Sequence, residues 1–260
     1  MHLSCCTWAL AGGDASEAAI LDQLAALEFS HIDIRPNDFA DEAGLARMSR
    51  LGFQVPCVAL SFGLPAGVTL GSDDAEIADQ ALHFATLGLE RATTLGATTA
   101  YIIPDLDASM EGLLRYGAAV TELASRAAER SINLCIEHFP GRALPTVANT
   151  LAFLEDVGHP NLNLLFDIGH AQMSKEDIRI AILKADQRLG YVHLDDNDGV
   201  GDLHWALCDG VMTQESLKSL FHALVEIEYD GGVSLEMNPT LPDPFDAIQR
   251  SRAVALQAWP

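Results

Sequence analysis

Short apolar runs rich in β-branched and aromatic residues alternate along this chain with longer stretches whose apolar positions recur at helical spacing. Eight such runs read as strands: LSCCTWA (3–9), HIDIRP (31–36), QVPCVALSF (54–62), TAYIIP (99–104), INLCIEHF (132–139), LNLLFDIG (162–169), GYVHLDD (190–196) and GVSLEMN (232–238). The stretches between them carry helix-start signals. Asp14 with Glu17 three residues on reads as a capping box ahead of Ile20, Leu24 and Leu27. Thr146 precedes Val147, Leu151 and Leu154; Ser174 precedes Ile178, Ile182 and Ala185; Thr213 opens a stripe of Leu217, Leu220, Phe221 and Leu224. Eight strand–helix units with no linker-like or low-complexity segment predict an α/β chain folded as a closed (β/α)8 barrel, one domain over residues 1–260. No GxGxxG follows the first strand and no GxxxxGK[ST] occurs, which weakens the case for an open sheet and leads us to expect no nucleotide cofactor.

In a parallel barrel, alternate residues of each strand face the helices and the interior, and functional groups gather at the C-terminal strand ends. In the fifth strand Leu134 and Ile136 face outward, leaving Asn133, Cys135 and Glu137 inward. In the sixth, Leu164 and Phe166 point out and Asp167 in; in the seventh, Val192 and Leu194 point out while Tyr191, His193 and Asp195 point in. In the eighth, Val233 and Leu235 leave Ser234 and Glu236 inside. Glu137, Asp167, His193 and Glu236 therefore converge near the top of four neighbouring strands.

Composition narrows the setting. A hydrophobic content of 49% excludes disorder. No apolar run approaches the roughly 20 residues of a bilayer span, and MHLSCCTWALAGG lacks the basic start of an export signal, so it reads as the first strand. Cys5, Cys6, Cys57, Cys135 and Cys208 show no CxxC spacing and fall mostly in apolar runs; reduced thiols and a cytoplasmic location are expected. A formal net charge of -22 repels phosphate backbones and anionic lipid, so neither nucleic acid nor membrane is expected as a partner.

Taken singly, each inward carboxylate reads as a satisfied core group, and Asp167 in LLFDIGHA reads as a helix cap with His170 on a loop. Together, three carboxylates at one mouth repel one another and are pushed toward their neutral forms unless a cation holds them. No Lys or Arg lies on the inner face of these four strands, and the nearby Arg142 is in a loop. A divalent metal is the simplest compensating charge, and three oxygen donors with one imidazole suit one ion of Mn, Co, Mg or Zn.

These residues resemble a known family. Glu137, Asp167 with His170 in DIGH, His193 in VHLDDND and Glu236 in SLEMNP are similar to the motifs of the xylose isomerase-like barrel superfamily, which includes sugar isomerases and epimerases, inosose and dehydroshikimate dehydratases, and endonuclease IV. The resemblance covers nearly the whole chain, most specifically residues 132–240. It implies that Glu137, Asp167, His193 and Glu236 bind one divalent metal and that His170 contacts substrate or a further metal. HLDDNDGVGDLH also resembles the family's HLHDNDG…DxH segment, placing Asp202 and His204 where the endonuclease branch binds an extra zinc. Asp195 stands where many members have a second histidine, and VALSF and YIIPD lack the histidines that complete the endonuclease cluster. Family members are often dimers or tetramers, so a homo-oligomer is compatible by analogy.

The implied chemistry is proton transfer next to a carbonyl through a metal-bound enediolate, an isomerase or epimerase acting on a small-molecule keto sugar or polyol-derived ketone. Glu137 and Glu236 would serve as base and acid, with His170 on a substrate oxygen. The alternatives are a dehydratase of an inosose-like ketone, a barrel that binds metal or sugar without turnover and, last, an endonuclease-like phosphodiesterase. Asp202 and His204 on one face of an extended segment read either as a second metal site or as a solvated pair. Arg35 reads as a contact to a substrate hydroxyl or to a surface carboxylate, Trp8 as an apolar pocket wall or as packing, and Cys208 as a buried thiol.

Overall fold

The structure, a computed structural model, describes residues 1–13 and 15–259. All eight predicted strands form: β1 (His2–Cys6), β2 (His31–Asp33), β3 (Cys57–Ala59), β4 (Thr99–Ile102), β5 (Asn133–Glu137), β6 (Leu162–Asp167), β7 (Leu189–Leu194) and β8 (Gly232–Leu235). They alternate with helices α1 (Glu17–Ala26), α2 (Glu42–Leu51), α3 (Ala75–Leu95), α4 (Met110–Ala128), α5 (Val147–Val157), α6 (Ile168–Met173), α7 (Ile178–Ala185), α8 (Gln214–Glu226) and α9 (Pro244–Ala258). The strands pair in parallel in the order β2-β1-β8-β7-β6-β5-β4-β3. Two isolated parallel bridges, His31↔Gln54 and Ile34↔Val58, join the ends of that order and bring the sheet close to a full ring. The fold is the expected (β/α)8 barrel.

The strands stop earlier than the apolar runs do. After β1 the chain winds into a 3-10 turn over Thr7–Leu10, and after β3 into another over Leu60–Gly63. Pro56, which has no N–H to give to a ladder, interrupts the pairing between the single bridge at Gln54 and the start of β3 at Cys57. Helix starts follow the capping signals at Thr146, whose side chain accepts from the Asn149 N–H, and at Thr213, which forms a reciprocal box with Ser216. Two starts differ. Asp14 lies outside the described residues; α1 is capped by Ser16, while Glu17 reaches across to accept from the Phe39 N–H at 2.7 Å. Ser174 does not open α7, which is capped by Asp177; a short helix, α6, follows β6 directly, and Ser174 closes it, donating to the Pro145 carbonyl.

The alternation along the strands sorts the core as expected. Leu134, Ile136, Leu164, Phe166, Val192, Leu194, Val233 and Leu235 pack into the large layer between sheet and helices. Cys6, Trp8, Cys57, Ala59, Tyr101, Cys135, Leu165 and Tyr191 fill the barrel itself. Beneath the mouth, the buried Asp33 carboxylate accepts from Ser4 Oγ and Tyr191 Oη, each at 2.7 Å. All five cysteines are free thiols, four of them buried. Among the described residues, no helix is long and apolar enough to cross a membrane.

Candidate active site

Parallel register carries the polar groups to one level. Asp167, the last residue of β6, lies opposite His193 of β7, and His193 lies opposite Ser234 of β8, two residues before Glu236. Glu137 ends β5. One ligand atom from each of Glu137, Asp167, His193 and Glu236 falls within 4.8 Å of the others, and all four side chains are buried. His193 Nδ1 stands 2.7 Å from Glu236 Oε2 and 4.0 Å from both Glu137 Oε1 and Asp167 Oδ2. Among the described residues no Lys or Arg pairs with these carboxylates; their cationic partners are His170 and His193.

The hydrogen bonding leaves this cluster unfinished. Asp167 uses one oxygen as the cap of α6, accepting from the His170 N–H at 2.8 Å, while Oδ2 has no hydrogen-bond partner. Both His193 ring nitrogens are also buried without one; Nδ1 stands 2.7 Å from Glu236 Oε2 but off the direction a hydrogen bond needs. Buried polar atoms are nearly always satisfied. Three oxygens and an imidazole nitrogen aimed at one point fit a hard or borderline divalent cation.

Burial and mutual contact shift the proton affinities of the cluster in the absence of a cation. Burial pushes the Glu137 carboxyl up to about 8, with His170 opposing the rise and Glu236 adding to it. Burial acts to lower His193 but the Glu236 carboxylate overrides it, and the imidazole rises to about 9. Burial likewise acts to raise Glu236, and the His193 contact instead holds it well below the ordinary carboxylate range.

His170, in the first turn of α6, turns Nδ1 to the His138 carbonyl oxygen at 2.9 Å and lies 3.5 Å from Glu137 Oε1. Its other nitrogen, Nε2, is buried without a hydrogen bond, 3.4 Å from Asp202 Oδ1. Asp202 also lies 2.9 Å from His204 Nε2, so His170, Asp202 and His204 form a second group of potential ligands beside the first. The expected extended segment is interrupted: His204 has a left-handed backbone (φ 47), and a bridge between Asp196 and Trp205 closes the loop on itself. Asp195 is buried, accepts from the Gly169 N–H at 3.0 Å and stands 3.4 Å from His204 Nδ1.

On the other side of the mouth, Trp8 is 6% exposed and donates its indole N–H to Glu236 Oε1 at 2.8 Å. Arg35 lies 3.5 Å from Asp38, with its guanidinium 5.8 Å from the Trp8 ring and 5.6 Å from Phe62. Phe62, 48% exposed, supplies the open aromatic surface here. Sequence reasoning missed it, although its place at the end of the third apolar run was a signal. Cys208 is partly exposed and belongs to none of the ligand groups. Asp33 and His138, whose Nε2 accepts from the Asp167 N–H at 3.2 Å, were also missed; nothing in their local sequence marks them.

Comparison with known proteins bears on the family and the fold. The family described as xylose isomerase-like TIM barrel matches residues 11–256. An L-ribulose 3-epimerase from Mesorhizobium japonicum is 30% identical over 225 residues, covering 81% of this chain and 70% of that protein. A ketose 3-epimerase from Arthrobacter globiformis is 28% identical over 191 residues, 68% of this chain and 62% of its own length. A crystal structure of D-allulose 3-epimerase from Methylomonas sp. in complex with D-allulose superposes with a TM-score of 0.85 over 100% of this chain and 97% of that one; at 20% identity the likeness speaks for the fold alone.

Proposed function

Because the chain belongs to the xylose isomerase-like TIM barrel family, we propose that it is a ketose epimerase working with one divalent cation held by Glu137, Asp167, His193 and Glu236. The observation that carries this reading is the convergence of those four buried groups with Asp167 Oδ2 and the His193 nitrogens left unpartnered. The two epimerases matched by sequence support the substrate class.

Bound there, a divalent cation supplies Lewis-acid stabilisation of the negative charge that develops on the sugar's oxygens. The chain does the rest. Epimerisation next to a carbonyl requires a proton to leave one face of a carbon and return on the other, so two groups are needed. β5 and β8 deliver one glutamate each to the two ends of a four-strand arc. Glu137, with its proton affinity raised by burial, takes or gives the proton on one face, and Glu236 acts on the other. His170 offers Nε2 to a substrate oxygen and shares the developing charge. Phe62 and Trp8 form the apolar wall, with Arg35 at its rim for a hydroxyl. Asp202 and His204, with His170 Nε2 already 3.4 Å from Asp202 Oδ1, would hold a second cation only where that nitrogen is not engaged with the sugar.

The test is incubation of L-ribulose and D-allulose, and of an inosose, with Mn2+ and with chelator. Inversion at C3 that chelator abolishes is expected. Loss of water would favour the dehydratase, binding without turnover a sugar-binding barrel, and nicking of an abasic duplex the phosphodiesterase. Glu137→Gln and Glu236→Gln are each expected to lower kcat by roughly a hundredfold or more while the protein stays folded; a fully active Glu236→Gln enzyme would overturn the assignment.

A further inference from the structure

Glu236 differs from Glu137 and Asp167 in having a close neighbour at each oxygen: the Trp8 indole N–H donates to Oε1 at 2.8 Å, and His193 Nδ1 stands 2.7 Å from Oε2. Trp8 and Glu236 are 228 positions apart, and they meet because β1 pairs with β8 in register, Cys5 opposite Leu235. The turn that carries Trp8 is pinned from several sides. Thr7 Oγ1 donates to the Asp33 carbonyl at 3.0 Å, the Phe62 ring leans on the indole at 5.4 Å, and the Arg35 guanidinium covers it. An indole N–H can only donate, and a bond from it to a carboxylate is charge-assisted, so a fixed ring fixes the carboxylate. Glu137 receives no hydrogen bond among the described residues; its nearest cationic neighbours are His170 at 3.5 Å and His193 at 4.0 Å.

We propose that Trp8 is a positioning residue: its indole N–H clamps Glu236 so that Oε2 faces the cation site, leaving Glu137 as the glutamate free to shift toward the sugar. This rests on the reading of Glu137, Asp167, His193 and Glu236 as the cation site. The ring's packing and its N–H are separable. Trp8→Phe keeps an aromatic ring against Phe62 and Arg35 while removing the donor and one of the two fused rings. Groups that orient metal ligands in this way are worth about 10–100-fold in metal affinity or activity.

The experiment uses the full-length protein and Mg2+ as the probe. Trp8→Phe is expected to bind Mg2+ roughly 10–100-fold more weakly by calorimetry, and to lose kcat on the ketose with little change in KM. The Trp8 indole proton, identified as the one that persists when Trp205 and Trp259 are each replaced by Phe, is expected downfield in wild type. It should move on addition of Mg2+, and move upfield in Glu236→Ala. These wild-type and Glu236→Ala spectra decide the matter even if Trp8→Phe does not fold. Wild-type Mg2+ affinity in a folded Trp8→Phe protein, or an indole proton indifferent to both Mg2+ and Glu236→Ala, would overturn the proposal. A wild-type protein that binds Mg2+ and epimerises no ketose would sink the functional reading and leave the Trp8 assignment standing on its affinity; one that binds no divalent cation would sink both.

Discussion

At the scale of single residues, Asp167 shows how one side chain can serve the fold and the site together. One oxygen caps α6 and the other turns into the ligand cluster, so the two roles can be separated by mutation. Asn caps a helix about as well as Asp. Asp167→Asn is therefore expected to keep its metal-free stability while losing at least about tenfold in Mn2+ affinity, and Asp167→Ala to lose about a further 1 kcal/mol from the missing cap. Urea denaturation with and without Mn2+ measures both; equal metal affinity in Asp167→Asn and wild type would remove Asp167 from the ligand set. The protons on Glu137 and His193 allow a second prediction. Their values of about 8 and about 9 in the cation-free protein lie above pH 7, so both groups are protonated there and must give up protons to bind a cation. Apparent affinity should thus rise with pH through the interval from 7 to 9 and level off above it. Calorimetry in buffers of different ionisation heat should register net proton release at pH 7, and a flat pH dependence with no release would contradict the cluster's electrostatics.

At the scale of elements, the site depends on the short helix α6 lying flush against the end of β7. Gly169 permits this: its backbone N–H reaches Asp195 Oδ1, and a Cβ at that position would collide with the Asp195 carboxylate. Gly169→Ala is expected to destabilise the protein by about 1–3 kcal/mol and to displace His170 from Glu137, seen as a lowered urea midpoint together with a raised KM. An unchanged midpoint would show that α6 tolerates the extra methyl by moving. How much was legible varies by element in the same way. Period-2 alternation placed Leu134 against Glu137 and Val192 against His193 on opposite faces, and caps at Thr146 and Thr213 marked two helix starts. Ile178, Ile182 and Ala185 do share α7, but its start was read early at Ser174, which closes α6, a helix too short to show a period of its own.

At the scale of the whole molecule, stability and cation binding are linked. A ligand that binds only the folded state adds about 2.7 kcal/mol at a hundredfold excess over its Kd. In a chain of this length that corresponds to a rise of roughly 5–10 °C in Tm, which chelator should reverse and Asp167→Asn should cut to about half or less. The net charge of -22 draws cations toward the molecule as a whole, so metal association should slow as salt is raised; rates independent of ionic strength would limit the attraction to the four ligands.

The sequence by itself determined the eight strand–helix units, the side each strand residue faces and hence the four side chains at the mouth, because each follows from periodicity within a single run. Only the tertiary structure decided which atoms meet: the bridges that bring β2 to β3, the Asp33 network under the site, the bend that folds His204 back onto Asp202, and the Trp8 bond to Glu236. Those contacts join residues far apart in the chain or set by an irregular loop, and their distances exist only once the ring of strands has formed and fixed the register between its first and last members.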